Sequence, residues 1–185
     1  MVGAVLVVAV ALAAPSDRAL AQRLLVTARD VPGAAASQAS TGLSPCSAPQ
    51  RDRSAVAFGR FLFYGSTEIV SAATVYRTAA GARAAAGGSV RKLASPCLAN
   101  QLARAYKEQG ATFAPGTTAV SRLGPTARRV RLHFILRVGK KKTGEGVYDV
   151  VLLQRGRAVA GVAFVNPIDD TWERGIVDRV AERLP

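Results

Sequence analysis

Residues 127–138 read Ala-Arg-Arg-Val-Arg-Leu-His-Phe-Ile-Leu-Arg-Val, and this stretch decides the fold. From position 130 onward every second residue is apolar, and the residues between are basic apart from Ile135. An alternation of period two is typical of a β-strand that turns one face to the core. The stretch therefore predicts a long strand with one apolar and one basic face.

The segments around this strand are also rich in β-branched and aromatic residues and are separated by short turns. After an early hairpin at residues 55–64 and 68–76, which turns at Gly65-Ser66, the strand-like segments are 117–123, 127–138, 146–154 and 157–165. Strands that follow one another through short turns pair antiparallel. The order predicts a hairpin followed by a C-terminal meander.

Three further segments have helical patterns: residues 78–93, residues 97–109 and a final helix that Asp169 or Asp170 can cap. The final helix has an apolar stripe at i+4 spacing, formed by Trp172, Ile176, Val180 and Leu184. Such a stripe needs the apolar face of a sheet to cover. We therefore predict an α+β fold, with a single antiparallel β-sheet and helices packed mainly on one face.

An apolar segment opens the chain, because residues 2–14 contain only Val, Ala, Leu and Gly. It is shorter than the roughly 20 residues of a membrane span but matches the roughly 7–15 residues of a signal-peptide core. Ala19-Leu20-Ala21 supplies a small-x-small cleavage pattern. We predict a signal peptide at 1–21, cleavage before Gln22, and a single secreted domain at 22–185 without a transmembrane span. A buried N-terminal helix or strand, and a truncated anchor of a longer protein, are the alternatives.

The chain contains two cysteines, Cys46 and Cys97. In an exported protein an even number of cysteines indicates a disulfide, and closing a loop of this length stabilises a fold by roughly 4 kcal/mol. With one histidine and no C-x-x-C motif, the sequence favours neither a zinc site nor a redox site. We predict a structural disulfide, no metal and no cofactor, in a secreted or extracytoplasmic protein of the cell envelope.

The formal net charge of +13 favours anionic partners such as phospholipids, cell-wall phosphates or nucleic acid. A basic strip begins at Arg128 and offers ligand contacts from Arg129, Arg131, His133, Arg137, Lys140, Lys141 and Lys142. This face lacks the aromatic platforms of single-stranded nucleic-acid sites, so we expect no nucleic-acid partner. The competing interpretations are that the charge serves solubility and that the strip is a solvated sheet face.

Catalytic patterns are weak throughout the chain. His133 is the sole histidine, and no G-x-S-x-G motif exists; Ser-Lys chemistry stays open. Asp149 lies within a strand, and we expect it to pair across the hairpin with Arg131 or Arg137. We therefore predict a protein that is not an enzyme and has no catalytic residues.

Small residues gather on the last strand, at Ala158, Ala160, Gly161 and Ala163, and Gly87-Gly88 thins a helix. Small side chains can leave a cleft for an apolar ligand between sheet and helices. They can equally let a helix pack closely against the sheet.

Several of these features together resemble a known family. They are Leu24-Leu25-x-Thr27-x-x-Asp30-x-Pro32-Gly33, Cys46 in a Ser/Pro loop, Cys97-Leu98 at a helix start, Arg155-Gly156-Arg157, and the terminal helix. The chain resembles the extracellular sensor domain of mycobacterial serine/threonine kinases and its free-standing exported relatives. The resemblance implies ligand binding or envelope sensing without a catalytic motif. Kinase-linked members have a second disulfide, and this chain has only two cysteines.

The sequence thus favours a secreted, non-enzymatic envelope protein that binds or senses an anionic or lipidic ligand, as a monomer or weak oligomer. The alternative is a structural or interaction protein that docks a partner through its basic sheet face or a sheet edge. An envelope hydrolase is the third interpretation.

Overall fold

The computed structural model describes residues 16–39, 46, 51–139 and 141–185. Four helices and eight strands lie in that part of the chain. In order they are α1 (Asp17–Arg23), β1 (Ala35–Ala39), β2 (Arg53–Phe58), β3 (Arg60–Tyr64), β4 (Thr67–Tyr76), α2 (Ala79–Ala94), α3 (Pro96–Glu108), β5 (Thr112–Arg122), β6 (Ala127–Val138), β7 (Lys141–Arg155), β8 (Ala158–Val165) and α4 (Asp170–Ala181).

All eight strands belong to one antiparallel sheet, with the order β1-β3-β4-β8-β7-β6-β5. β2 and β3 pair with successive parts of β4. The predicted hairpin turn lies between β3 and β4, where Gly65 adopts φ +60°, a conformation that glycine accepts without steric cost. The prediction of an α+β fold with a single antiparallel sheet is confirmed.

Helices cover both faces of the sheet, whereas the sequence predicted them mainly on one. α1 and α4 pack in one core with Ile69 and Phe164, and we call this side the α1/α4 face. α2 and α3 cover the opposite side, the α2/α3 face, above Val130 and Leu132. The sheet needs two layers of helices because its central strands carry apolar side chains on both sides.

Strand β6 has the predicted alternation. Val130, Leu132 and Phe134 are buried on the α2/α3 face. Arg129 and Arg131, at the alternate positions, point to the α1/α4 face, where they contact acidic residues. Because successive side chains of a strand point to opposite faces, Arg128 lies on the α2/α3 face and its neighbour Arg129 does not.

Helix α1 lies across the predicted cleavage point. Leu20 and Ala21 belong to the core of the α1/α4 face, and Asp17 pairs with Arg157 at 2.8 Å. Cleavage before Gln22 remains a prediction, and it would remove these contacts from the fold. Residues 1–15 of the predicted signal peptide lie outside the described residues. Among the residues that the structure describes, no helix is long and apolar enough to span a membrane.

A disulfide joins Cys46 to Cys97, with their Cα atoms 5.7 Å apart. Cys46 is fully buried, and Cys97 stands in the first turn of α3, whose N-cap is Ser95. The disulfide therefore belongs to the core of the α2/α3 face, where it fastens the segment before β2 to α3.

Candidate functional site

Two arginines of the basic strip lie within a cluster of acidic residues. The Arg131 guanidinium contacts Asp149 in two-pronged geometry, with Nε–Oδ1 at 2.9 Å and Nη2–Oδ2 at 2.6 Å, and it reaches Asp170 at 2.6 Å. Arg129 donates to Asp170 at 2.9 Å and to Glu173 at 3.3 Å. The expected cross-strand pair of Asp149 with Arg131 is present, as is the expected cap, because Asp169 accepts from the Trp172 N–H.

The cluster is buried at its centre and changes the protonation of its members. Asp149 and Glu173 have no exposed surface, and desolvation together with the nearby Asp149 carboxylate raises the pKa of Glu173 to about 8. Hydrogen bonds from Arg129 and Arg131 lower the pKa of Asp170. Since a buried charge needs a close partner, this cluster holds α4 on the sheet and leaves little positive charge from these two arginines for a ligand.

The other members of the basic strip lie further along the β6–β7 hairpin. His133, Arg137 and Lys141 are exposed. Lys140 lies outside the described residues, as does the side chain of Lys142. The strip therefore divides into a neutralised part at β6 and an exposed part at the hairpin end.

A cleft opens on the α2/α3 face, between the two helices and the sheet. Its volume is about 290 Å³, close to the lower end of the range for small-molecule pockets. Its floor and walls are mostly apolar and come from β3, β4, β7, β8, α2 and α3, including Phe61, Val70, Ala72, Ala85, Leu93, Val150, Leu152, Gly161 and Ala163.

The small residues of β8 divide between the two faces, as strand geometry requires. Gly161 and Ala163 line the cleft, whereas Ala158 and Ala160 are buried in the core of the α1/α4 face. Half of the predicted small-residue group thus borders an open space, and the other half allows close packing. Gly87 lines a different pocket, described below.

Glu68 is the one charged side chain among the described residues that line this cleft. Desolvation raises its pKa, and it forms no hydrogen bond or ion pair with any other described residue. Tyr148 also lines the cleft, and desolvation followed by the negative charge of Glu68 raises its pKa to about 12. The cleft therefore combines apolar walls with a carboxyl and a phenol that a ligand can engage.

The sequence pattern did not identify Glu68 or Tyr148 as site residues. The one available signal was a carboxyl inside the otherwise uncharged segment Thr67–Tyr76. A lone acid in such a strand is more often a solvated residue, and only the position of α2 and α3 shows that this one borders a cleft.

The described residues contain no group of three or more His, Cys, Asp or Glu side chains arranged to hold a metal ion. The acids of the α4 cluster contact arginines instead.

This fold has a known counterpart. The chain superimposes on the extracellular domain of PknH from Mycobacterium tuberculosis with a TM-score of 0.57, 13% sequence identity, and coverage of 88% of this chain and 93% of the other. The two chains share a fold. No protein-family model and no curated protein sequence matches the chain, so the likeness rests on three-dimensional structure and concerns the fold.

Proposed function

We propose that this chain is an extracytoplasmic, non-enzymatic binding domain of the sensor type, which holds a small, mainly apolar ligand in the cleft on the α2/α3 face. The cleft itself carries the proposal, because a sheet and two helices enclose about 290 Å³ of mostly apolar space beside Glu68 and Tyr148. The fold likeness to an extracellular domain and the buried disulfide support the extracytoplasmic setting.

The chemistry of the walls defines the ligand class. Apolar side chains favour a hydrocarbon or aromatic body through the hydrophobic effect. A hydrogen-bond donor on that body suits Glu68, whose carboxyl forms no hydrogen bond or ion pair within the described part of the chain. We therefore expect an amphiphile that carries an N–H or O–H group, which refines the lipidic ligand expected from the sequence.

The test uses N-phenyl-1-naphthylamine, an apolar fluorescent probe with one N–H donor. The purified disulfide-bonded protein should enhance its fluorescence, and Ala163→Phe should abolish the enhancement because Ala163 borders the cleft. The matched control is Ala84→Phe, since Ala84 is exposed on α2. Far-ultraviolet circular dichroism should be unchanged in both variants. Probe binding that survives Ala163→Phe, or is lost equally in both variants, would contradict the proposal.

A second candidate function is docking of an anionic surface at the end of the β6–β7 hairpin. Arg137 and Lys141 are exposed there, and they make no ion pair with any described residue. Vesicles with anionic lipid provide the test: Arg137→Gln/Lys141→Gln should reduce binding at low salt. Unchanged vesicle binding would remove this candidate.

A further inference from the structure

A second concave site lies on the other side of α2 from the cleft, against the β5–β6 turn. Its volume is about 460 Å³, and four of its lining residues are arginines: Arg83 and Arg91 from α2, and Arg122 and Arg128 from the two strands. No carboxylate lines it among the residues that the structure describes. We call it the arginine pocket.

The arginines converge for reasons of local geometry. Arg83, Gly87 and Arg91 are spaced at i, i+4 and i+8, so they share one face of α2. A Cβ atom at Gly87 would lie 3.7 Å from Arg91 Nη1, so the Arg91 guanidinium folds back over that glycine. Helix α2 and the turn thus bring positive charge to the pocket from two directions.

Arg122 and Arg128 are direct partners across the β5–β6 ladder. Like charges directly opposite each other on neighbouring strands destabilise a sheet. None of the four guanidinium groups forms a hydrogen bond or ion pair with another described residue, in contrast to those of Arg129 and Arg131. A bound anion between the strands would relieve this repulsion.

We propose that the arginine pocket binds a phosphoryl-bearing anion, through the guanidinium groups of Arg83, Arg91, Arg122 and Arg128. The planar guanidinium group pairs two parallel N–H donors with two phosphate oxygens. Four such groups around one pocket match a ligand with several phosphate oxygens better than a single carboxylate. The site is separate from the proposed cleft, and it stands even if the cleft takes no ligand.

The experiment measures binding of tripolyphosphate by isothermal titration calorimetry at about 0.15 M salt, where charges further apart than about 8 Å are screened. Arg122→Gln/Arg128→Gln should lower the affinity by at least about tenfold. Arg104→Gln/Lys107→Gln is the matched control, because it removes the same charge from the exposed side of α3, away from the arginine pocket, and the affinity of this variant for tripolyphosphate should stay within about twofold of the parent's. The urea midpoint of the control variant should equal that of the parent, since its substituted side chains are exposed, and that of Arg122→Gln/Arg128→Gln should be equal or slightly higher because the repulsion across the ladder is removed.

A second arm separates a free phosphate from a lipid head group. Vesicles with phosphatidic acid are compared with neutral phosphatidylcholine vesicles, with and without tripolyphosphate. Vesicle binding that Arg122→Gln/Arg128→Gln removes supports a lipid phosphate, and tripolyphosphate binding alone supports a soluble one. Equal losses in the two double variants, or no binding of either phosphate probe by the parent protein, would overturn the proposal.

Discussion

The two faces of the sheet differ in how their arginines are paired and in how much open space the helices leave against the sheet. On the α1/α4 face Arg129 and Arg131 are paired with Asp170, Glu173 and Asp149, and the concave surface between the ends of α1 and α4 is lined by helix and turn residues, with no strand residue among the described ones. On the α2/α3 face the same sheet borders a cleft and a pocket lined by unpaired arginines. The α1/α4 layer thus supplies carboxylates to the arginines beneath it, and the α2/α3 layer leaves concave space against the sheet.

Arg128 and Arg129 show this difference at two neighbouring positions. They have the same side chain, but the strand turns Arg129 toward the acids of α4 and Arg128 toward α2. At these two positions the face of the sheet decides whether the guanidinium group is paired with a carboxylate.

The largest effect is expected from Arg131→Gln, which leaves the fully buried Asp149 without its two-pronged partner. Removal of one member of a buried ion pair costs about 3–5 kcal/mol, and we expect the free energy of unfolding in urea to fall by that amount. Arg128→Gln is the control on the same strand, and a change within about 0.5 kcal/mol is expected there. Similar small effects at both positions would contradict the contrast between the faces.

The sequence could predict what depends on neighbours along the chain. The alternation at residues 127–138 indicated the strand, the hairpin made Asp149 a partner for Arg131, and Asp169 was a candidate helix cap. Each of these rests on residues joined by one element or one tight turn, so period and propensity suffice to place them.

Contacts between distant segments could not be predicted in the same way. Glu173 has the position of an ordinary first-turn helix acid, and its contact with Arg129 spans 44 residues. The assignment of α1 and α4 to one face and of α2 and α3 to the other depends on tertiary packing. For the same reason the sequence grouped Arg129 and Arg131 with the exposed basic residues, and the structure separates them.

Glu173→Gln tests the buried cluster through its pH dependence. Its carboxyl is protonated more readily in the folded protein, with a pKa of about 8 against 4.5, so it adds stability below about pH 4.5 that is lost as the pH rises through 8. The groups facing it are Asp149, Arg129, Arg131 and Asp170. Glutamine is neutral at every pH. We therefore expect the free energy of unfolding of the variant to exceed that of the parent by on the order of 1–3 kcal/mol at pH 9.

The measurement for this variant is the free energy of unfolding in urea between pH 4.5 and 9. Glu108→Gln is the control because Glu108 is exposed at the end of α3, and its curve should run parallel to that of the parent. If Glu173→Gln also runs parallel, the buried carboxyl does not carry the expected proton, and the charge balance of the α1/α4 face must be reconsidered.

The smallest effects are expected from two Gly→Ala variants, one on each face, which allow stability and probe binding to be compared. An added Cβ at Gly161 would meet Leu152 Cδ2 at 3.4 Å and the Ala72 carbonyl at 3.8 Å, which is contact without a clash. Gly161→Ala should therefore stabilise the protein by about 0.4–1 kcal/mol through the unfolded state, and it should weaken N-phenyl-1-naphthylamine binding because the methyl group enters the cleft. Gly175→Ala on α4 should give a similar gain of up to about 1 kcal/mol and leave probe binding unchanged.

Thermal unfolding of both variants measures the change in stability, and titration with the probe measures the change in its affinity. Equal probe affinity in the two variants would mean that Gly161 is small for packing alone, and the distinction between a packed face and a binding face would lose its clearest support at the cleft.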